Sequence, residues 1–148
     1  MTLRHMSIVA ALAVLPAGCS KGPGDIVDVS GRVTINGNPV EKVGVVFQPI
    51  KTDRNNNPGT GSWGVTDKDG RYTLKLQSKD QKAGAVVGKH KVMFENYKEP
   101  DDPSDDRPNK IRPKPAVAIP PDFYFHPKFE FDVPSSGTDK ADFDLKIP

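Results

Sequence analysis

From Val27 onward, apolar and polar residues alternate in short runs, and clusters of turn-forming residues separate the runs. A period of two places successive side chains on opposite faces, so each run predicts a half-buried β-strand. In "GRVTING", Val33 and Ile35 share one face while Arg32 and Thr34 point the other way. "NGNP" then predicts a tight turn, because Asn and Gly accept positive φ and Pro removes a donor. "VGVVF" predicts an inward row of Val43, Val45 and Phe47, and "RYTLKL" one of Tyr72, Leu74 and Leu76. A longer strand, "VVGKHKVMFENY", sets His90, Val92 and Phe94 on one side. "FEFDV" contributes Phe129, Phe131 and Val133, and "ADFDLKI" contributes Ala141, Phe143, Leu145 and Ile147.

Two stretches break this rhythm. Residues 51–61, rich in Asn, Pro and Gly, predict a loop. Residues 97–118 carry five prolines among dense charge, acidic first and then basic. Such a segment cannot order itself by collapse, and predicts an exposed, mobile loop long enough to suggest a role in binding. No helical apolar period appears beyond the N-terminal segment. About seven strands without a helix predict an all-β, antiparallel β-sandwich spanning residues 27–148.

Composition agrees with that prediction. Fifteen prolines and thirteen glycines favour strands and turns over helices. The formal charge is +2, falling to +1 if Arg4 is removed, and the charges are interspersed. That balance gives no reason to expect nucleic acid as a partner.

The N-terminus follows a different rule. A basic start at Arg4 precedes an apolar run at 6–15, and the small residues Ala17 and Gly18 precede Cys19. Charged, apolar and small segments in that order predict a cleaved signal peptide over residues 1–18. Ten apolar residues are too few to cross a bilayer, which takes about twenty. Cys19 is the only cysteine, so the domain behind it has no disulfide. Residues 19–26 begin "CSKGPGD", a composition suited to a flexible tether. This arrangement resembles the lipobox of bacterial lipoproteins, although Pro16 stands where Leu is usual and Leu15 lies one position earlier. The resemblance implies acylation of Cys19 and a membrane anchor. Ser20 after the cysteine, where Asp would favour retention at the inner membrane, implies an outer-membrane destination facing the periplasm or the cell surface.

The order "VSGRVTINGNPVEKVGVVFQP", "GVTDKDGRYTL", "AGAVVGKHKVMF", "IPPDFYF" and "ADFDLKI" resembles the carboxypeptidase regulatory-like domain. The most telling positions are Gly31, Val33, Gly37, Pro39 and Val40, then Thr66, Asp67, Asp69, Gly70 and Tyr72. That resemblance implies a transthyretin-like sandwich, common in small bacterial lipoproteins that have no general assigned activity. One transthyretin-like branch hydrolyses 5-hydroxyisourate and ends in Tyr-Arg-Gly-Ser. This chain ends "DLKIP".

Candidate chemistry is sparse. In "TDKDG", Asp67 and Asp69 are spaced like calcium ligands, but an EF-hand register places Val65 and Leu76 at its first and twelfth positions. A hairpin turn accounts for the motif. His90 has apolar neighbours two residues away on each side, which predicts a packed histidine. His126 lies beside Phe125, and no spacing suggests a zinc site, other metal or cofactor. No nucleophile-elbow sequence is present. Trp63, Tyr124 and Phe125 form a candidate ligand face, because aromatic planes offer an apolar body to a sugar ring; alternatively Trp63 simply covers the core edge. The expectation is a non-enzymatic, lipid-anchored envelope protein that binds or scaffolds. A carbohydrate- or wall-binding module is the alternative, and a hydrolase a more distant one. Expected partners are a membrane through Cys19 and an envelope protein or glycan.

Overall fold

The computed structural model describes residues 24–52, 56–99 and 117–148. The predicted signal segment, Cys19 with most of its tether, and residues 100–116 of the predicted long loop lie outside the described residues. In chain order the elements are β1 (Ile26–Val27), β2 (Ser30–Ile35), β3 (Asn38–Pro39), β4 (Val43–Pro49), β5 (Ser62–Val65), β6 (Arg71–Thr73), β7 (Lys75–Leu76), β8 (Ala85–Val86), β9 (Gly88–Asn96), α1 (Asp122–Phe125), β10 (Phe129–Val133) and β11 (Phe143–Leu145). The protein is an all-β sandwich.

One sheet runs β10-β9-β4-β5-β7, antiparallel throughout. Facing it is a smaller sheet in which β2 pairs β3 and β6 antiparallel and β11 parallel. The short pair β1–β8 completes the set. The inward rows read from the sequence all reach the core: Val33, Val43, Val45, Phe47, Tyr72, Leu74, Val92, Phe94, Ala141 and Leu145 are buried. Phe129 and Phe131 pack against it half-buried, because β10 is the outermost strand of its sheet.

Four features differ from the seven-strand prediction. The run "RYTLKL" is one apolar row but two strands, since it leaves one sheet for the other at Leu74. There the Leu74 N–H donates to Val29 O, and Leu74 O accepts from Gly84 N. Residues 26–27 and 85–86 add a small pair that no sequence period marked. The last strand, β11, joins β2 in parallel. Side chains staple that edge: Asp142 accepts from Arg32 N at 2.8 Å, while Asp144 accepts from Gly37 N and Thr34 Oγ1, each at 2.8 Å. Hydrogen bonds from Lys146, then Gly37 N and the Thr34 hydroxyl, hold the Asp144 carboxyl down at about 2. Finally, "PDFYF" forms the single-turn α1. Pro121 enters it with φ −55° and Asp122 occupies its first turn, both favourable at a helix start.

Turn chemistry follows the sequence closely. Asn36 and Gly37 take φ of 50° and 84°, the two positive values a type I′ hairpin turn needs. At "TDKDG", Asp67 Oδ1 accepts from Asp69 N and Arg71 N, both at 2.9 Å. The Asp67 carboxylate thereby closes the turn.

Behind β9 the Asn96 side chain receives the returning chain, accepting from Ile119 N at 2.9 Å and donating to Ile119 O at 3.0 Å. That pair places Ile119 and Phe123 over the open end of the core, where Phe123 stacks on Phe129.

Candidate functional site

Register assigns the outer face of the five-stranded sheet. Because Val45 and Phe47 point inward, Gly44 and Val46 point outward, and so do their partners Trp63, Val65, Met93 and Glu95. Trp63 therefore stands half-buried on the outside of the sheet, opposite Val46 on one neighbour and Lys75 on the other. Continuing the outward row of β9 by two residues reaches Tyr97, whose N–H donates to Lys42 O at 3.0 Å. The Trp63 and Tyr97 rings lie nearly parallel, 24° apart, with centroids 6.4 Å from each other.

Two shallow grooves of about 440 and 430 Å³ meet at Trp63. Arg71, Thr73, Lys75 and Gln81 edge the first. Gln77, Glu95, Tyr97 and Lys98 edge the second.

The other two aromatics of the predicted face lie elsewhere. Tyr124 and Phe125 belong to α1 and contact each other edge-on at 5.5 Å. Phe125 is 72% exposed. Among the described residues the ring contacts join Trp63 to Tyr97 and Tyr124 to Phe125, and none joins the two pairs. Tyr97 escaped sequence reading because it opens the proline-rich stretch. A period-two count continued from Met93 through Glu95 is the signal in the sequence that points to Tyr97.

His90 is 1% exposed in the core, 5.6 Å from the Phe47 ring. Its Nδ1 donates to Gly88 O at 2.8 Å, which fixes the proton on that nitrogen because a carbonyl only accepts. Nε2 is buried without a partner. Burial pushes the His90 pKa down, opposed by the Gly88 carbonyl and by Asp132. The unfolded chain thus takes up this proton first as pH falls below about 6.5. Stability is full above that point and drops by at most about 1.4 kcal/mol per pH unit until the lower folded pKa is reached. Urea unfolding at pH 7.5 and 5.5 is expected to show the drop, and His90→Phe to flatten it. An unchanged slope in the variant places the titrating group elsewhere.

Ser62 Oγ is likewise buried without a partner, on the strand flanking β4 opposite to His90. His126 is exposed and pairs with Asp122 at 2.8 Å, with Lys128 3.2 Å from the other carboxylate oxygen. Hydrogen bonds from His126 and then Lys128 lower the Asp122 pKa. Among the described residues no three His, Cys, Asp or Glu side chains converge as a metal-binding group. None of the helices there is long and apolar enough to cross a membrane. Lipid attachment at Cys19 falls outside the described residues.

No protein-family model, curated protein or solved structure matches the chain. The fold therefore defines the class, an all-β sandwich with a groove-flanked aromatic pair on its outer sheet face.

Proposed function

We propose that this chain is a lipid-anchored protein of the bacterial cell envelope, whose carboxypeptidase regulatory-like sandwich binds or scaffolds without catalysis. One observation carries the reading. The sole cysteine ends a charged, apolar and small-residue leader and stands directly before a Gly- and Pro-containing tether. Within the described residues the fold begins close behind Cys19 in sequence, with β1 starting at Ile26 and pairing β8. Acylation at Cys19 supplies the attachment. Two or three acyl chains hold a protein stably on a bilayer, whereas one gives only marginal binding. The transthyretin-like assignment rests on the motif order, and the two facing sheets are compatible with it.

The deciding experiment is metabolic labelling with an alkyne-tagged fatty acid in a bacterium expressing the full chain. Wild type is expected to take the label and sediment with membranes. Cys19→Ser is expected to do neither. An unlabelled, soluble wild type overturns the anchor.

A carbohydrate-binding role is the second reading. The observation favouring it is the half-exposed Trp63 beside Tyr97 on the outer sheet face.

A further inference from the structure

We propose that the outer face of the five-stranded sheet binds an extended, uncharged pyranose chain, with Trp63 as the stacking ring between two subsites. Tyr97 supplies a second ring. This deepens the carbohydrate reading and replaces the Trp63, Tyr124 and Phe125 grouping with the pair whose rings are in contact.

Three observations converge on that ligand. First, Trp63, with Gly64 next to it, lines both of two grooves of nearly equal size, about 440 and 430 Å³. Linear polymers of repeating units suit such a double site, because each groove accepts one part of the same chain while the indole meets the apolar face of a ring between them. Second, the apolar centre is ringed by side chains that donate and accept hydrogen bonds: Thr73, Gln81 and Lys75 on one side, Gln77, Glu95 and Lys98 on the other. Sugar hydroxyls require both kinds of partner. Third, the charges are of both signs in each groove, Arg71 and Lys75 beside Asp67 in one and Lys98 beside Glu95 in the other. A polyanion calls for a field of one sign, so the mixture favours a neutral glycan.

The position of the aromatic pair adds orientation. The tether enters beside the start of β9, where Val87 N donates to Asp25 O. Tyr97 follows the other end of that nine-residue strand, roughly 30 Å away along it. The aromatic pair thus lies at the far end of β9 from the point where residue 25 joins the fold.

Trp63 is the only tryptophan, so its emission reports the site without interference. The full chain in detergent is titrated with hexamers of β-1,4-linked glucose and N-acetylglucosamine, and with the corresponding disaccharides. One hexamer is expected to shift or quench the emission saturably, and its disaccharide to bind at least tenfold more weakly because it spans one groove. Calorimetry extends the titration to variants. Trp63→Ala and Tyr97→Ala are each expected to weaken binding at least tenfold with circular dichroism and urea midpoint retained, while Phe125→Ala binds like wild type. Silence with both hexamers at millimolar concentration overturns the proposal. So does wild-type affinity in both Trp63→Ala and Tyr97→Ala, and a loss confined to Phe125→Ala moves the ligand to α1 and overturns it equally. The fatty-acid labelling of Cys19 is a separate readout, so failure of the anchor and failure of this site are told apart.

Discussion

Phe47→Ala is expected to remove about 3–5 kcal/mol of folding stability, the range for truncating a fully buried phenylalanine. Domains of this size hold roughly 5–15 kcal/mol in total, so much of the population is expected to unfold at growth temperature. The reason lies in the position of Phe47 at the middle of β4, the central strand of its sheet, with no exposure. Its ring meets His90 at 5.6 Å, Phe131 at 5.7 Å and Phe143 at 6.1 Å. Phe131 belongs to the sheet edge and Phe143 to the opposite sheet, so the cavity opens where the two layers meet. Urea unfolding followed by Trp63 emission measures the loss. Phe125→Ala is the control, since that ring is 72% exposed and its removal is expected to change stability by no more than about 0.5 kcal/mol. Equal losses in the two variants contradict the core described above.

Gly31→Ala is expected to be as damaging for a different reason. A Cβ at Gly31 comes to 2.0 Å from Ala141 O, 2.4 Å from its carbonyl carbon and 2.9 Å from its Cα. All three are backbone atoms, which cannot step aside as a side-chain tip does. The same Ala141 carbonyl accepts the hydroxyl of buried Tyr72 at 2.7 Å, and Ala141 N donates to Ser30 O. Burial raises the Tyr72 hydroxyl pKa far above its ordinary value, followed by the charge of Asp142, so it stays a donor at all relevant pH. Displacing Ala141 therefore breaks this bond and lifts β11 away from β2. The expected loss is about 3 kcal/mol or more, at the upper end for overpacking. Hydrogen exchange adds a local signature, with protection at Phe143 and Leu145 falling before that in β4 and β9. Gly37→Asn is the contrast: nothing lies within 4 Å of its Cβ position, and Asn tolerates the positive φ of 84°. A Gly31→Ala protein as stable as the Gly37→Asn one means that the C-terminal strand sits elsewhere.

The aromatic face shows where local reading stops. Trp63 stood out as the only tryptophan, but its sequence left open whether it covers the core edge or faces a ligand. Its partner was hidden, because Trp63 and Tyr97 are 34 residues apart and meet only through the order β9-β4-β5. Tyr124 and Phe125 looked like companions of Trp63 because they are conspicuous aromatics. The turn of helix at Asp122 instead turns Phe123 into the core and leaves Phe125 outside.

Alternation by itself determined that this is a β protein, which residues of its longer strands face the core, and, with turn chemistry, where the hairpins at Asn36–Gly37 and Asp67–Gly70 turn. Those properties depend on the period of a strand and on the φ that Asn, Gly and Asp accept, both of which are local. Tertiary structure alone decided that the run at Leu74 passes from one sheet to the other, that β11 lies parallel to β2, and that His90 has a buried nitrogen without a partner. It also decided that Tyr97, rather than Tyr124, stands beside Trp63. Each of these depends on which strands become neighbours, a choice made by packing between residues far apart in the chain, and a period of two carries no record of it.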